Sequence, residues 1–151
     1  MMRASLNLPP ILVPRDDYGR LMPLVKALAG QSHPLASPLL LELLRADLCE
    51  PDALPCDVVA MDRFVAYRIA GREEPEYRAL IHPEAGMWPP AEVSILSPVG
   101  ISLLGLKLGD RMPLRGAAGC PQWVEVVAVG PWMTGGLVPR ASLAGAGGAG
   151  A

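Results

Sequence analysis

Residues Glu92–Asp110, EVSILSPVGISLLGLKLGD, hold a strand, a helix cap, a helix and a turn in unbroken succession. Val93, Ile95 and Leu96 read as a short buried strand. Ser97 then supplies a hydroxyl that can accept from an orphan N–H of a first helical turn, and Pro98 sits at the one helical position where a missing N–H costs nothing. Ile101, Leu104 and Leu108, with Leu103 beside them, recur at helical spacing, and Gly105 and Gly109 give the chain places to leave the helix. The stretch therefore predicts a little more than one turn of helix packed onto a sheet.

Working outward, 151 residues at 51% hydrophobic content suffice for one ordinary core with a small appended element. A formal net charge of -2 gives no electrostatic reason to expect nucleic acid or an anionic membrane as a direct partner. No apolar run approaches the roughly 20 residues a bilayer span requires, and the opening MMRASLNLPPILVPRDD is broken too early by proline for a secretory signal, so a cytoplasmic location is expected. Cys49, Cys56 and Cys120 have neither zinc-knuckle nor redox spacing and read as idle thiols.

Four segments follow. Residues 1–14 read as an extended lead-in. Residues 15–50 read as a short helical hairpin of coiled-coil type, its first helix capped by Asp16 or Asp17 with Tyr18, Leu21, Met22, Val25 and Leu28 on one face. Gly19 and Pro23 weaken that helix and would delay its start to near Arg20. GQSHPLAS, residues 30–37, is a helix–helix connection. Ser37-Pro38 repeats the cap-plus-proline device, and Leu40, Leu44 and Leu48, with Leu39 and Leu43 beside them, form the stripe of a second helix of about eleven residues, roughly 16 Å long. Residues 51–133 shift to strand alternation: Phe64, Ala66 and Arg68 face one way and Val65, Tyr67 and Ile69 the other. A strand at Tyr77–Ile81 follows the GREEP turn, with further strands at Met112–Arg115 and Trp123–Val129. About five antiparallel strands with one helix on a face make an α+β layer. Residues 134–151, rich in glycine and alanine, read as a disordered tail.

Two segments carry a family resemblance: LLRADLCEPDALPCDVVAMDRFVAYRI, and VSILSPVGISLLGLKLGD beyond it. Together they resemble the regulator of nucleoside diphosphate kinase family and, more distantly, the C-terminal domain of the Gre transcript-cleavage factors. The resemblance runs from about Ile11 to Gly130. Its most specific parts are Asp57-Val58-Val59 with Met61, Ser97-Pro98-Val99-Gly100 through Gly105-Leu106, and Gly109-Asp110. It implies a helical hairpin ahead of a sheet domain like that of FK506-binding proteins, and it implies bacterial core RNA polymerase as partner, docked near the secondary channel in competition with Gre-type factors. The docking corner it points to comprises Ser97, Pro98, Val99, Gly100 and Leu104. Gre factors carry an acidic pair at the hairpin tip that helps hold a catalytic Mg²⁺, a hard cation that takes carboxylate oxygens. The corresponding tip here is Gln31, Ser32 and His33, with no carboxylate between Asp17 and Glu42. A non-catalytic regulator without cofactor or metal is the expectation. Asp62-Arg63 departs from the Asn-Ser usual after the methionine in this family, and with Gly19 and Pro23 it bears on the hairpin's angle.

Plainer readings compete residue by residue. His33 reads as a solvated turn histidine, His82 as an ordinary loop residue lacking ligand partners at metal spacing, and Glu73-Glu74 as a solvated turn. Ser97 lies in no G-x-S-x-G elbow. Met87-Trp88 reads equally as a core cover or a contact patch. A prolyl isomerase would need an aromatic-lined concave pocket, for which the supply of aromatic residues is thin, and fold likeness alone does not carry activity. A module for a different protein partner shares every feature except the corner. Neither phosphate-binding glycine motif is present.

Overall fold

The computed structural model describes residues 8–83, 91–114 and 122–133. The expected tail, the Met87-Trp88 loop and Cys120 lie outside them. Among the described residues the chain runs β1 (Leu12–Pro14), α1 (Arg15–Gly30), α2 (Ala36–Arg45), β2 (Asp47–Cys49), a 3₁₀ turn (Pro51–Ala53), β3 (Arg63–Ile69), β4 (Glu76–Ile81), β5 (Glu92–Ser94), α3 (Pro98–Leu103), β6 (Arg111–Pro113) and β7 (Trp123–Trp132). The α+β class and the helical hairpin are as the periodicity predicts.

Five strands form one sheet in the order β5-β4-β3-β7-β6. Val65 and Tyr67 are buried under the helices while Phe64, Ala66 and Arg68 lie on the other, partly open face, as the alternation requires. The sheet is mixed rather than wholly antiparallel. β5 runs parallel to β4, with Ala79 opposite Glu92 and Ile81 opposite Ser94. Residues 82–91 separate these strands by far more than a two-residue hairpin, and β5 begins beside Ala79, in the second half of β4. Sequence alternation fixes which face a side chain takes and carries no information about strand direction.

The helical half departs from expectation in four places. The end of the lead-in is β1, which pairs in parallel with β2, so Leu48 belongs to a strand and α2 closes at Arg45. α1 begins at Arg15 directly after Pro14, ahead of the anticipated caps, and passes through Pro23 without ending. The carbonyl that Pro23 cannot satisfy is that of Gly19; both residues are exposed, so water can serve it, and the glycine offers no side chain to crowd the ring. Ser37 caps nothing. The start of α2 is organised by His33, whose Nδ1 accepts from Leu35 N–H at 3.1 Å and whose carbonyl accepts from Ala36 N–H at 3.1 Å. Finally, α2 buries Ala36, Leu39, Glu42 and Leu43 and leaves Leu41 and Leu44 51% and 64% exposed; of the predicted stripe Leu40 and Leu48 are only partly buried against the core and Leu44 turns away from it, while Leu39 and Leu43 beside them lie fully inside.

Leu21, Val25, Leu39 and Leu43 of the hairpin join Val65, Ile101, Leu103, Leu106 and Val126 in one apolar cluster. Leu108, expected on the α3 stripe, is half-exposed because the helix ends at Leu103 and Gly105 turns the chain at φ +78°.

Candidate protein-docking corner

Where β5 gives way to α3 the backbone is held by a closed set of short-range bonds. Ser94 Oγ accepts from Leu96 N–H at 2.9 Å. The Ser97 hydroxyl donates to the Ser94 carbonyl at 2.7 Å and accepts from Gly100 N–H at 3.0 Å. Pro98 occupies the first helical position with φ fixed by its ring, so the corner is set at both ends. Gly100 is buried so tightly beneath this turn that a Cβ there would run into the Ser94 carbonyl oxygen and Ile95 Cα.

Ser97, Pro98 and Val99 remain partly exposed and present the corner outward. Leu104, expected at the contact surface, is fully buried: it caps the inward end of α3 and fills the core instead. Gly100 likewise shapes the corner without presenting a side chain. Beside the corner lies an open groove of ≈ 380 Å³, lined by Tyr67, Ile69, Val93, Leu96 and Val99 together with the charged residues Glu76, Arg78 and Glu92. Glu76 is bracketed by Arg72 at 3.1 Å and Arg78 at 2.9 Å. The Tyr67 hydroxyl donates to the same carboxylate at 3.4 Å, and burial, followed by the Glu76 charge, pushes its pKa up to about 12. The groove is thus lined by apolar side chains and by three charged ones.

The hairpin tip is built by backbone. Gln31, Ser32 and His33 donate their N–H groups to Leu28 and Ala29 carbonyls, and Ser32 takes the left-handed conformation at φ +55°. Gln31 and Ser32 are exposed and His33 half-buried. The tip and the corner thus sit on separate elements, the tip between α1 and α2 and the corner between β5 and α3.

Three comparisons bear on this arrangement. No family model matches the chain. The regulator of nucleoside diphosphate kinase of Escherichia coli strain K12 is 32% identical over 122 residues, which cover 81% of this chain and 90% of that protein. The chain belongs to the regulator of nucleoside diphosphate kinase family. The Shigella flexneri protein of the same name matches to the same extent. A solved structure from Nitrosomonas europaea, described as a prokaryotic transcription elongation factor GreA/GreB, is 33% identical, superposes with a TM-score of 0.64, and covers 81% of this chain and 98% of its own.

Against that family background the Asp62-Arg63 pair acquires a structural meaning that sequence reading missed. Asp62 sits at φ +66°, a conformation that asparagine and aspartate tolerate best after glycine, so its residue type answers a backbone demand. Its carboxylate accepts from Arg20 of α1 at 2.8 Å and ties the hairpin to the sheet. Arg63 is buried, and its guanidinium donates to the carbonyls of Pro55, Cys56, Val58 and Gly130 while lying 5.0 Å from the Trp132 ring centre. Burial pulls its pKa down from the ordinary arginine range. Four carbonyls from a loop and a strand thus converge on one planar donor fork, a role that needs the several fixed donors of a guanidinium. No spacing rule announces such a residue; the only sequence signal is an arginine in a strand position whose neighbours at i+2 and i+4 are buried.

Proposed function

We propose that the protein is a non-catalytic regulator of transcription that binds core RNA polymerase near its secondary channel through the Ser97–Val99 corner, in a cytoplasmic setting. The observation that carries this reading is the corner itself: a rigid Ser-Pro turn, fixed by its own hydrogen bonds, beside an open apolar groove. Such a surface binds a partner without an ordering cost of its own backbone. Membership of a family named for regulation supports it, as does likeness to a structure described as a transcription elongation factor. Ser97, Pro98 and Val99 make the contact, with Gly100 and Leu104 supporting them from below. No direct contact with nucleic acid or membrane is part of this reading; among the described residues no helix is long and apolar enough to cross a membrane.

The tip residues Gln31, Ser32 and His33 carry no carboxylate for Mg²⁺, so binding blocks the channel mouth without stimulating RNA cleavage. Competition with Gre-type factors follows by mass action at a shared site. A prolyl isomerase is the weaker reading on this geometry. Tyr67 is the one aromatic side chain lining the groove among the described residues; Phe64 stacks on Tyr77 elsewhere, and Trp123 and Trp132 are engaged by Arg111 and Arg63. Size-exclusion chromatography with core polymerase tests the proposal. Wild type should co-elute at micromolar concentration, and both Pro98→Asp and an excess of Gre factor should abolish the complex. A wild-type chain that never co-elutes defeats the reading and leaves the module-for-another-partner alternative.

A further inference from the structure

α1 is fastened to the sheet by a joint whose central member is a buried carboxylate. Asp17, in the first turn of the helix, is 5% exposed, and its Oδ2 accepts from Met61 N–H, just ahead of β3, at 3.1 Å. Arg20, one turn along, lies 4.0 Å from Asp17 Oδ1 and 2.8 Å from Asp62 Oδ2. We propose that this joint is a proton-operated lock, in which a proton on Asp17 holds α1 against the start of β3 and loss of that proton loosens the hairpin's seat.

The reasoning is electrostatic and steric. Arg20 has two carboxylates to satisfy and sits closely against only one of them, the half-exposed Asp62. Asp17 is left with one backbone donor to offset a buried negative charge. The groups facing it do little to help: Asp16 on its own helix and Asp62 across the joint repel its charge, Arg20 alone attracts it, and Cys49 of β2 is a neutral thiol whose own ionisation Asp17 opposes. The nearby Arg15–Glu50 pair, at 2.9 Å, is exposed and self-paired. Burial therefore dominates and raises the Asp17 pKa to about 6. A proton taken from solvent onto Oδ1 removes the buried charge, leaves Oδ2 accepting from Met61, and leaves Arg20 to Asp62. Both hydrogen bonds of the joint survive protonation, and only the 4.0 Å Asp17–Arg20 ion pair is given up.

The sign follows by linkage. In the opened joint Asp17 returns to its ordinary value of 3.8, so the closed form binds the proton more tightly than the open one. Closure is favoured as pH falls through about 6, and the gain levels off below the ordinary value. Between about pH 7.5 and about pH 5 the opening equilibrium should shrink about tenfold. The joint works this way in the free protein, whatever partner the corner takes.

Amide hydrogen exchange on the full chain tests it, with rates divided by the intrinsic rate at each pH. The wild-type Met61 amide and the first turn of α1 should gain about tenfold protection between those two pH values. Asp17→Asn, which keeps the acceptor and carries no charge, should show the higher protection at both. A wild type whose Met61 protection does not change with pH, or an Asp17→Asn chain that keeps the full pH response, overturns the lock. Should Asp17→Asn fail to fold, carboxyl-carbon NMR titration of the wild type decides: a midpoint for Asp17 near 6 supports the lock, and one near 4 overturns it.

Discussion

At Gly100 the first turn of α3 lies so close upon Ser94 that the backbone leaves no room for any side chain, since a Cβ would meet a carbonyl oxygen and a Cα, neither of which can rotate away. Gly100→Ala must therefore either push α3 off β5 or break the Ser97 cap. Overpacking of this kind typically costs about 1–3 kcal/mol, and denaturant unfolding should show a lower midpoint with unchanged slope. A variant as stable as wild type would mean that the corner yields easily and is not the rigid element described. The serine-proline cap was legible because its chemistry is local: hydroxyl, ring and first turn lie within four residues. The requirement for glycine three positions after the cap was not, because it depends on how closely the helix approaches a strand. Arg63 marks the same limit more sharply. Its partners at Pro55, Cys56, Val58 and Gly130 are assembled by the tertiary fold, and only Gly130 is remote enough in sequence to show that a loop and a strand are being joined.

Among the elements, α2 shows where periodicity is ambiguous. Its run of five leucines, broken only by Glu42, fits two stripes a third of a turn apart, and the chain takes the one that seats Leu39 and Leu43 on α1 and the sheet. What selects it lies outside the run. His33 starts the helix through its ring and carbonyl, and Arg45 closes it by donating to Glu42 at 3.0 Å and to the Pro9 carbonyl at 2.7 Å. Adjacent leucines should therefore respond very differently to truncation. Leu43→Ala should cost about 2–5 kcal/mol, as for a buried leucine, while Leu44→Ala should fall within about 0.5 kcal/mol of wild type. Thermal melts of the two variants check the register directly, and equal losses would place the helix a third of a turn from where it is described. The sheet was more legible than the helices because alternation has only two phases: once Val65 and Tyr67 share a face, Phe64, Ala66 and Arg68 must share the other, and only which face is inward is left to the fold. The β4–β5 direction stayed hidden, as did the β1–β2 pair, since three-residue parallel strands carry no alternation long enough to read.

At the scale of the whole molecule, reach separates occupying a channel from acting within it. α1 has 16 residues, a rod of about 24 Å at 1.5 Å per residue, and its first turn is tied to the sheet by Asp17, with Arg20 adding a second tie one turn along. The free arm is shorter than the helix, because that anchored turn cannot extend. If the corner docks on polymerase as proposed, two separate deficits should prevent RNA cleavage: the tip lacks carboxylates, and so short an arm should leave it back from the catalytic metal. Installing the carboxylates alone distinguishes them. Gln31→Glu with Ser32→Asp places two acids at the tip and respects the left-handed backbone at position 32, which aspartate tolerates. The double variant should bind core polymerase as wild type does and still leave the RNA of backtracked complexes uncut, since a carboxylate stabilises Mg²⁺ only at close range, directly at about 2.1 Å or through one of the ion's own waters. RNA length on a denaturing gel reads the outcome. Shortened transcripts would show that the hairpin does reach the active centre, and that its missing carboxylates alone keep this protein from cleaving.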